Sequence, residues 1–264
     1  MRLVLLDVNG TLVPAGATEV DRGALAGVVE AVEGLRGRAQ VGLCSDSPLR
    51  SLRDFGTSLG LAEGFPVVAE NGNVTRIGGV TRVRVPFPGL AEVRAVIAGT
   101  ATEHGLRRRG EQESPEFGGA PVEPGVWAFG AGRVASVAVF AEGSFVEAAG
   151  RRVAEWAADR APLAVDSSPA HGFLGVHPYP VLRSGKAAAL TALAEAGWEP
   201  VMVGDTMSDW VPPGTGVRCG FVGGALVTAE VRAAAWALAR SPGAEGVAEL
   251  LRRIAEEADE RGTV

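Results

Sequence analysis

The stretch Leu3-Val4-Leu5-Leu6-Asp7-Val8-Asn9-Gly10-Thr11 decides the fold. Four apolar residues run without a break and end on an aspartate. A short apolar run bounded by a turn signal reads as a strand buried on both faces, as in parallel sheets. Asn9-Gly10 supplies the turn. The strand then delivers Asp7 to its carboxyl end, where open α/β sheets bind their ligands. The competing local reading is a plain strand-terminating turn.

The same rhythm continues outward from this stretch. A helix is expected around residues 22–35, a strand over 40–44, a helix over 49–59 and a short strand over 67–69. The last of these closes on the turn signal Glu70-Asn71-Gly72-Asn73. The rhythm changes near Gly78. An edge-like strand over 81–86, a helix over 90–104 and a Gly-, Pro- and Glu-rich loop over 109–125 come next. A strand over 134–140, a helix over 145–160 and strands near 163–167 and 172–177 follow. Two helices among four strand signals read as an inserted α+β module of about a hundred residues, a size typical of an independent unit. After Pro180 the first rhythm resumes. Ser184-Gly185-Lys186 opens a helix running to about Ala196, strands cover 200–203 and 218–222, and an amphipathic helix spans 244–261. The fold class is therefore α/β: a Rossmann-like parallel-sheet core in two pieces, 1–79 and 181–264, around an α+β module at 80–180.

Composition narrows the function. The chain has 264 residues, 47% of them hydrophobic, and a net charge of −6. That suits one large domain or two modest ones, and leaves no nucleic-acid footprint. Arg107-Arg108-Arg109 reads as a solvated or local ligand-facing patch. Cys44 and Cys219 make no disulfide framework and no Cys-x-x-Cys pair. The amino-terminal apolar run is too short for a signal segment, and no stretch approaches membrane-spanning length. A cytoplasmic protein with reduced thiols, without membrane or nucleic-acid partners, is expected. Trp127, Trp156 and Trp198 read as packing residues. His171 and His177 read first as surface or structural histidines, and no spacing suggests a zinc site.

Three further segments carry chemistry. Met202-Val203-Gly204-Asp205-Thr206-Met207-Ser208-Asp209 again ends a strand on a glycine and a carboxylate, with a second carboxylate four residues on. With Asp7 they make an oxygen-rich pocket suited to a hard cation such as Mg²⁺. Cys44-Ser45-Asp46-Ser47-Pro48 offers a hydroxyl and backbone N–H groups ahead of a helix. That is an anion site, or simply a helix cap. Finally, of 25 lysines and arginines only Lys186 is lysine. It lies near a helix amino terminus, where a cation is unfavourable without an anionic partner. An ammonium is a compact point charge, unlike the guanidinium that serves everywhere else in the chain.

In combination and order, these segments resemble the haloacid dehalogenase superfamily of phosphotransferases. Glu70-Asn71-Gly72 after the third strand resembles the subgroup with a large α+β cap, which includes sugar-phosphate phosphatases and archaeal-type phosphoglycolate phosphatases. The resemblance implies a Mg²⁺-dependent phosphohydrolase acting on a small phosphorylated metabolite, as a monomer or homodimer. Asp7 would be the nucleophile that forms an aspartyl-phosphate, Ser45 would hydrogen-bond the phosphoryl group, and Lys186 would balance charge between them. Asp7, Asp205 and the Asn9 carbonyl would ligate Mg²⁺, with Asp209 helping to hold the metal or its waters. Thr11, Asp46, Asn71, Arg109, Glu113 and Ser114 are the candidate substrate-binding residues, with Arg108 and Glu111 beside them in the polar loop of the cap.

Asn9 departs from the family pattern, which has an aspartate there to protonate the leaving alcohol and activate water. An amide does not titrate in the usable range. Three explanations stand: a substrate with a good leaving group such as an acyl phosphate or phosphoanhydride, a phosphometabolite-binding protein with little turnover, or an engineered trap. A halide-releasing reaction needs no metal and is disfavoured by Asp205 and Asp209. Two smaller departures accompany Asn9. Asp46 would repel phosphate unless it faces away or caps the helix. Trp210-Val211-Pro212-Pro213 stands where a helix is expected.

Overall fold

The apolar run at the amino terminus is β1 (Arg2–Leu6), buried along its whole length. Leu3 and Leu5 pack into one apolar layer and Val4 and Leu6 into the other, which is why the run shows no polar alternation. The computed structural model describes the chain apart from residues 18–19, 85–86, 88, 115–116, 118, 120–121, 161, 179–184 and 263–264; the side chains of 261 and 262 are also outside it.

The larger sheet holds β1, β2 (Gln40–Cys44), β3 (Val67–Ala69), β4 (Val74–Ile77), β5 (Val80–Val83), β11 (Glu199–Thr206), β12 (Arg218–Leu226) and β13 (Ala237–Leu238). Its order is β13-β12-β11-β1-β2-β3-β4-β5, parallel from β13 to β3 and antiparallel at β4 and β5. One face is covered by α1 (Ala26–Gly34), α2 (Leu49–Ser58) and α7 (Gly243–Gly262) through residues such as Val28, Leu52, Phe55, Leu251 and Ile254. The other is covered by α5 (Gly185–Glu195) through Ala189, Leu190 and Leu193, with Val231 of α6 (Ala229–Ala234) beside them. The chain leaves β1 toward β2 on one side and returns to its other side as β11. That reversal is a topological switch point, and it opens at the carboxyl ends of β1, β2 and β11.

The smaller sheet runs β6-β7-β8-β10-β9. Its strands are β6 (Arg107–Arg108), β7 (Val126–Phe129), β8 (Val137–Ala141), β9 (Leu163–Ser168) and β10 (Phe173–Pro178). α3 (Leu90–Glu103) and α4 (Gly143–Ala157) cover one face, with Val93, Ile97, Phe145 and Val153 against Trp127, Val139, Leu174 and Val176. Trp127 is a core residue, and Trp156 and Trp198 are half-buried against the apolar clusters, so all three pack as expected. The residues that alternate with these strand positions, Phe140, Phe173 and Asp166 among them, line a cavity instead.

Several elements differ from the sequence expectation. Val74–Ile77, to which the sequence reading assigns no element, is a strand, and β5 pairs with it. The larger sheet therefore keeps the β4–β5 hairpin whole, and the expected division at 79/80 falls inside it. β7 lies just past the stretch read as loop, 109–125, where no element is expected, and its four residues are all buried. β8 starts at Val137, since residues 134–136 turn to meet the larger sheet's residue 70. β6, α6 and β13 are too short for periodicity to reveal. No helix follows Asp209; a single 3-10 turn, Met207–Asp209, stands there. Ser184 and the 180/181 division lie outside the described residues. Among the described residues, no helix is long and apolar enough to cross a membrane.

The turn after β3 ties the two sheets together. Glu70 and Asn71 both take left-handed backbone angles, with φ of 49° and 55°, a conformation costly for non-glycine residues. Glu70 is fully buried. Its carboxylate accepts hydrogen bonds from the Val134 and Ala135 N–H groups (2.9 and 2.8 Å) and from the Ser136 hydroxyl (2.7 Å). Its own N–H donates to the Ser47 carbonyl and that of Asn71 to the Ser45 carbonyl, both at 3.1 Å. Replacing Glu70 with Gln puts an N–H against one of these donors. The expected cost is about 2–3 kcal/mol, read from urea denaturation. A change within about 0.5 kcal/mol would show that the bracket carries no stability.

Candidate active site

Three strand ends converge on the switch point. Asp7 follows β1, and its N–H donates to the Val203 carbonyl of β11 at 2.9 Å, so the two strands stay paired up to the carboxylate. Asp205 lies near the end of β11, and Asp209 closes the 3-10 turn beyond it. Ser45 follows β2, with its N–H on the Val68 carbonyl at 2.9 Å. The backbone at Gly10 has φ of 84°, and a Cβ there would meet Asp205 Oδ2 at 2.1 Å. Glycine is thus required twice over, for the turn and for the approach of Asp205.

Lys186 joins these ends from α5. Its Nζ lies 2.7 Å from Asp7 Oδ1 and 2.7 Å from Asp209 Oδ1, and the side chain is 5% exposed. The start of α5 is fixed by the turn after β3: a Cβ on Gly72 would meet the Gly185 carbonyl oxygen at 2.1 Å. Thr11, fully buried, places its hydroxyl 3.2 Å from Asp7 Oδ2 and 3.1 Å from Asp205 Oδ1. It braces two carboxylates; a substrate-binding role is therefore corrected. Asp209 is also more enclosed than expected. Lys186 takes one of its oxygens, and the N–H groups of Asp205 and Thr206 take the other at 3.1 and 3.2 Å. Its place is behind the site, orienting the end of β11.

One ligand atom each from Asp7, Asp205 and Asp209 lies within 4.8 Å of the others. Three carboxylates face one ammonium. Burial pushes the Asp7 carboxyl up, Lys186 pulls it down, and Asp209 and Asp205 push it up again, leaving it raised to about 7. Burial disfavours the Lys186 charge, but Asp209 and Asp7 outweigh this and hold it well above the ordinary ammonium range. Asp205 is raised too, by burial and then by Asp209. The donors are all hard oxygens and carry excess negative charge, which is what a divalent cation would balance. These residues can hold one.

Asp7, Asn9, Ser45 and Lys186 all line a cavity of about 540 Å³ between the two sheets. Ser114 lines it as expected. Arg109, Glu113 and Asn71 do not line it. Arg109 is exposed, with its N–H on the Trp127 carbonyl at 2.8 Å. Arg108 lies over the Trp127 and Phe129 rings and Glu111 pairs with Arg94. Glu113 accepts from Ser51 at 2.5 Å. Asn71 acts through its backbone, holding the loop that carries Ser45.

Asp46 lines the cavity but neither caps α2 nor turns away. Its Oδ2 lies 2.9 Å from Arg133 Nη2, and its Oδ1 lies 3.0 Å from His177 Nε2 and 3.3 Å from Arg133 Nη1. Burial alone would raise this carboxyl; Arg133 and His177 overcome it and hold it well below the usual carboxylate range. Arg133, Glu70 and Asp166 are the site residues that sequence reading misses. Arg133 stands in a Gly-rich segment that looks solvated, 87 residues from its partner. Glu70 reads from the sequence as part of a turn signal and of the motif that resembles the large-cap subgroup, with no contact assigned to its carboxylate.

No protein-family model matches the chain, and no curated protein sequence does. Solved structures do. A haloacid dehalogenase-like hydrolase from Bacteroides thetaiotaomicron matches with a TM-score of 0.69 at 19% identity, over 96% of this chain and 99% of that one. The sucrose-phosphatase of Synechocystis, solved with sucrose and phosphate, matches with a TM-score of 0.56 at 19% identity, over 96% and 98%. A trehalose-6-phosphate phosphatase from Aspergillus fumigatus matches with a TM-score of 0.51 at 16% identity, over 97% and 92%. Likeness at this identity is a statement about architecture, and it spans both sheets: the chain has the fold of the haloacid dehalogenase-like hydrolases, inserted cap included.

Proposed function

We propose that the chain is a Mg²⁺-dependent phosphohydrolase of a small phosphorylated metabolite. The observation that carries this reading is the buried Lys186 ammonium, 2.7 Å from both Asp7 and Asp209 and lining the same cavity as Ser45. A charge set beside a carboxylate in this way suits a phosphoryl group held against that carboxylate. The phosphatases among the structures of the same fold support it.

In this reading an Asp7 oxygen bonds to phosphorus as the bond to the leaving oxygen breaks. Lys186 orients Asp7 and offsets the charge of the phosphoryl group, and the Ser45 hydroxyl donates to a phosphoryl oxygen. Water then attacks phosphorus, releasing phosphate and restoring the carboxylate. Asp7, Asp205 and the main-chain carbonyl of Asn9 would hold Mg²⁺, with Asp209 fixing Asp205 from behind. When bound, the ion supplies positive charge that the site lacks and polarises phosphoryl oxygens. The leaving oxygen still needs a proton, and the Asn9 amide cannot give one. General acid–base assistance is worth about 10²–10⁴-fold. The reading is therefore of an enzyme slow on alkyl phosphates and better on acyl phosphates or other good leaving groups. Asn9 also favours a second reading, a phosphometabolite-binding protein with little turnover.

A phosphate-release screen with Mg²⁺ across sugar phosphates and acyl phosphates tests the first reading. Turnover is expected, faster on acyl phosphates, and lost in Asp7→Asn. Folded, metal-bound protein that releases phosphate from neither class leaves only the second reading. Asn9→Asp is expected to raise kcat on alkyl phosphates at least about tenfold; an unchanged rate removes the proton-donor argument.

Metal and proton linkage give a test independent of turnover. Millimolar Mg²⁺ is expected to raise the Tm of the native chain and not that of Asp205→Asn. Without metal, the raised Asp7 pKa means that the folded state resists ionisation. Its burial then costs nothing below the unfolded value of 3.8 and destabilises progressively as pH rises to about 7. The limit is about 4 kcal/mol for a shift of this size. Asp7→Asn is thus expected to raise the metal-free Tm by about 5 °C near pH 8 and to leave it nearly unchanged near pH 4. An equal effect at both pH values would contradict the assignment.

A further inference from the structure

Asp46 presents a difficulty for any anion site at Ser45. It is the next residue in the chain, it lines the same cavity, and its charge has the sign of phosphate. Among the described residues, the side chains that hold its carboxylate both come from the cap. Arg133, in the loop between β7 and β8, grips both of its oxygens, and His177 of β10 lies on one of them. Arg133 is nearly enclosed, with 6% of its side chain exposed. Its Nη1 also donates to the Ser136 hydroxyl at 2.9 Å, and Ser136 in turn donates to Glu70. The Glu70 N–H reaches back to the Ser47 carbonyl. The cap loop and the Ser45–Ser47 loop are thus joined at both ends of a closed circuit. With that circuit shut, the negative charge beside Ser45 is paired.

We propose that Asp46 makes anion binding at Ser45 and Lys186 conditional on cap docking, with Arg133 as the positioning residue that supplies the compensating charge. With the cap docked, an arriving phosphoryl group meets a paired Asp46. With the cap displaced, Asp46 loses both partners and opposes the anion at a range well inside a Debye length. Binding and closure are then one coupled equilibrium, and each favours the other. The pair is a charge interlock rather than a substrate contact. This inference rests on the cavity being a phosphoryl site.

Titration calorimetry of inorganic phosphate into the full chain with Mg²⁺ tests it through a double-mutant cycle. Arg133→Gln is expected to weaken phosphate binding by about tenfold or more, because it unmasks Asp46. Asp46→Asn is expected to bind phosphate at least as tightly as the native chain. The double variant is expected to return to within about threefold of native affinity. If the double variant stays as weak as Arg133→Gln, Arg133 is a direct phosphate ligand and the interlock is overturned. If Asp46→Asn binds more weakly than the native chain, the pair is only a tether between cap and core, which also overturns it. Should Arg133→Gln fail to fold by circular dichroism, Asp46→Asn, which keeps Arg133, decides alone. A native chain that binds no phosphate overturns the phosphoryl-site reading and the interlock together. The interlock failing alone leaves native binding intact, so the two failures are distinguishable.

Discussion

A single buried ammonium organises this molecule. Lys186 is reached by a helix packed on one face of the larger sheet, and it meets carboxylates from two adjacent strand ends. Removing a cation from water is costly unless opposite charge surrounds it, so the position of α5 and the ends of β1 and β11 are mutually constrained. Gly10 and Gly72 serve the same constraint, since each lets one of these pieces approach to a distance that a side chain would forbid. The apolar layers decide that a sheet forms. The Lys186 contacts decide how its central strand ends are set against each other.

The excess of carboxylates over cations is the second governing fact. Three aspartates around one lysine leave the centre short of positive charge. A protein optimised for stability would not bury such a set; functional sites carry this kind of cost. The same imbalance recurs beside Ser45, where the remedy is different. There the missing charge is protein-borne and comes from the opposite side of the cleft. One module thus carries two local charge deficits, one suited to an ion and the other met by its neighbour.

The legibility of the chain follows from the range of its interactions. β1 reads directly because both faces of the strand are buried, so its whole signal is local. Asp7, Ser45, Lys186 and Asp205 read because each stands where an element begins or ends. β7 did not read: its four buried residues are as apolar as those of β1, but they follow directly on Gly- and Pro-rich sequence that hides where the run begins. β4 did not, because its pairing with β3 and β5 is what makes it a strand. Asp46 read as an oddity to be resolved by facing away or by capping α2, and it does neither. Its partner Arg133 has no local feature that sets it apart from the chain's many surface arginines, and nothing in one sequence pairs the two. The roles of Thr11 and Glu70 were likewise hidden, since both depend on contacts made across the fold.

The circuit through Glu70 bears on how such a cap can be exchanged between proteins. The inserted segment looks like a cassette, bounded by one exit and one return. Yet two of the groups that seat it, Asp46 and Glu70, belong to the host sheet and precede the insertion. Grafting the segment alone onto another core would leave Arg133 and the N–H groups at 134 and 135 facing unsuitable partners. Cutting it out would strand two carboxylates and leave a pair of left-handed residues with only the Ser45 and Ser47 carbonyls to hold. The unit of transfer is the insertion together with those two side chains. A swap of this chain's insertion has to carry them along.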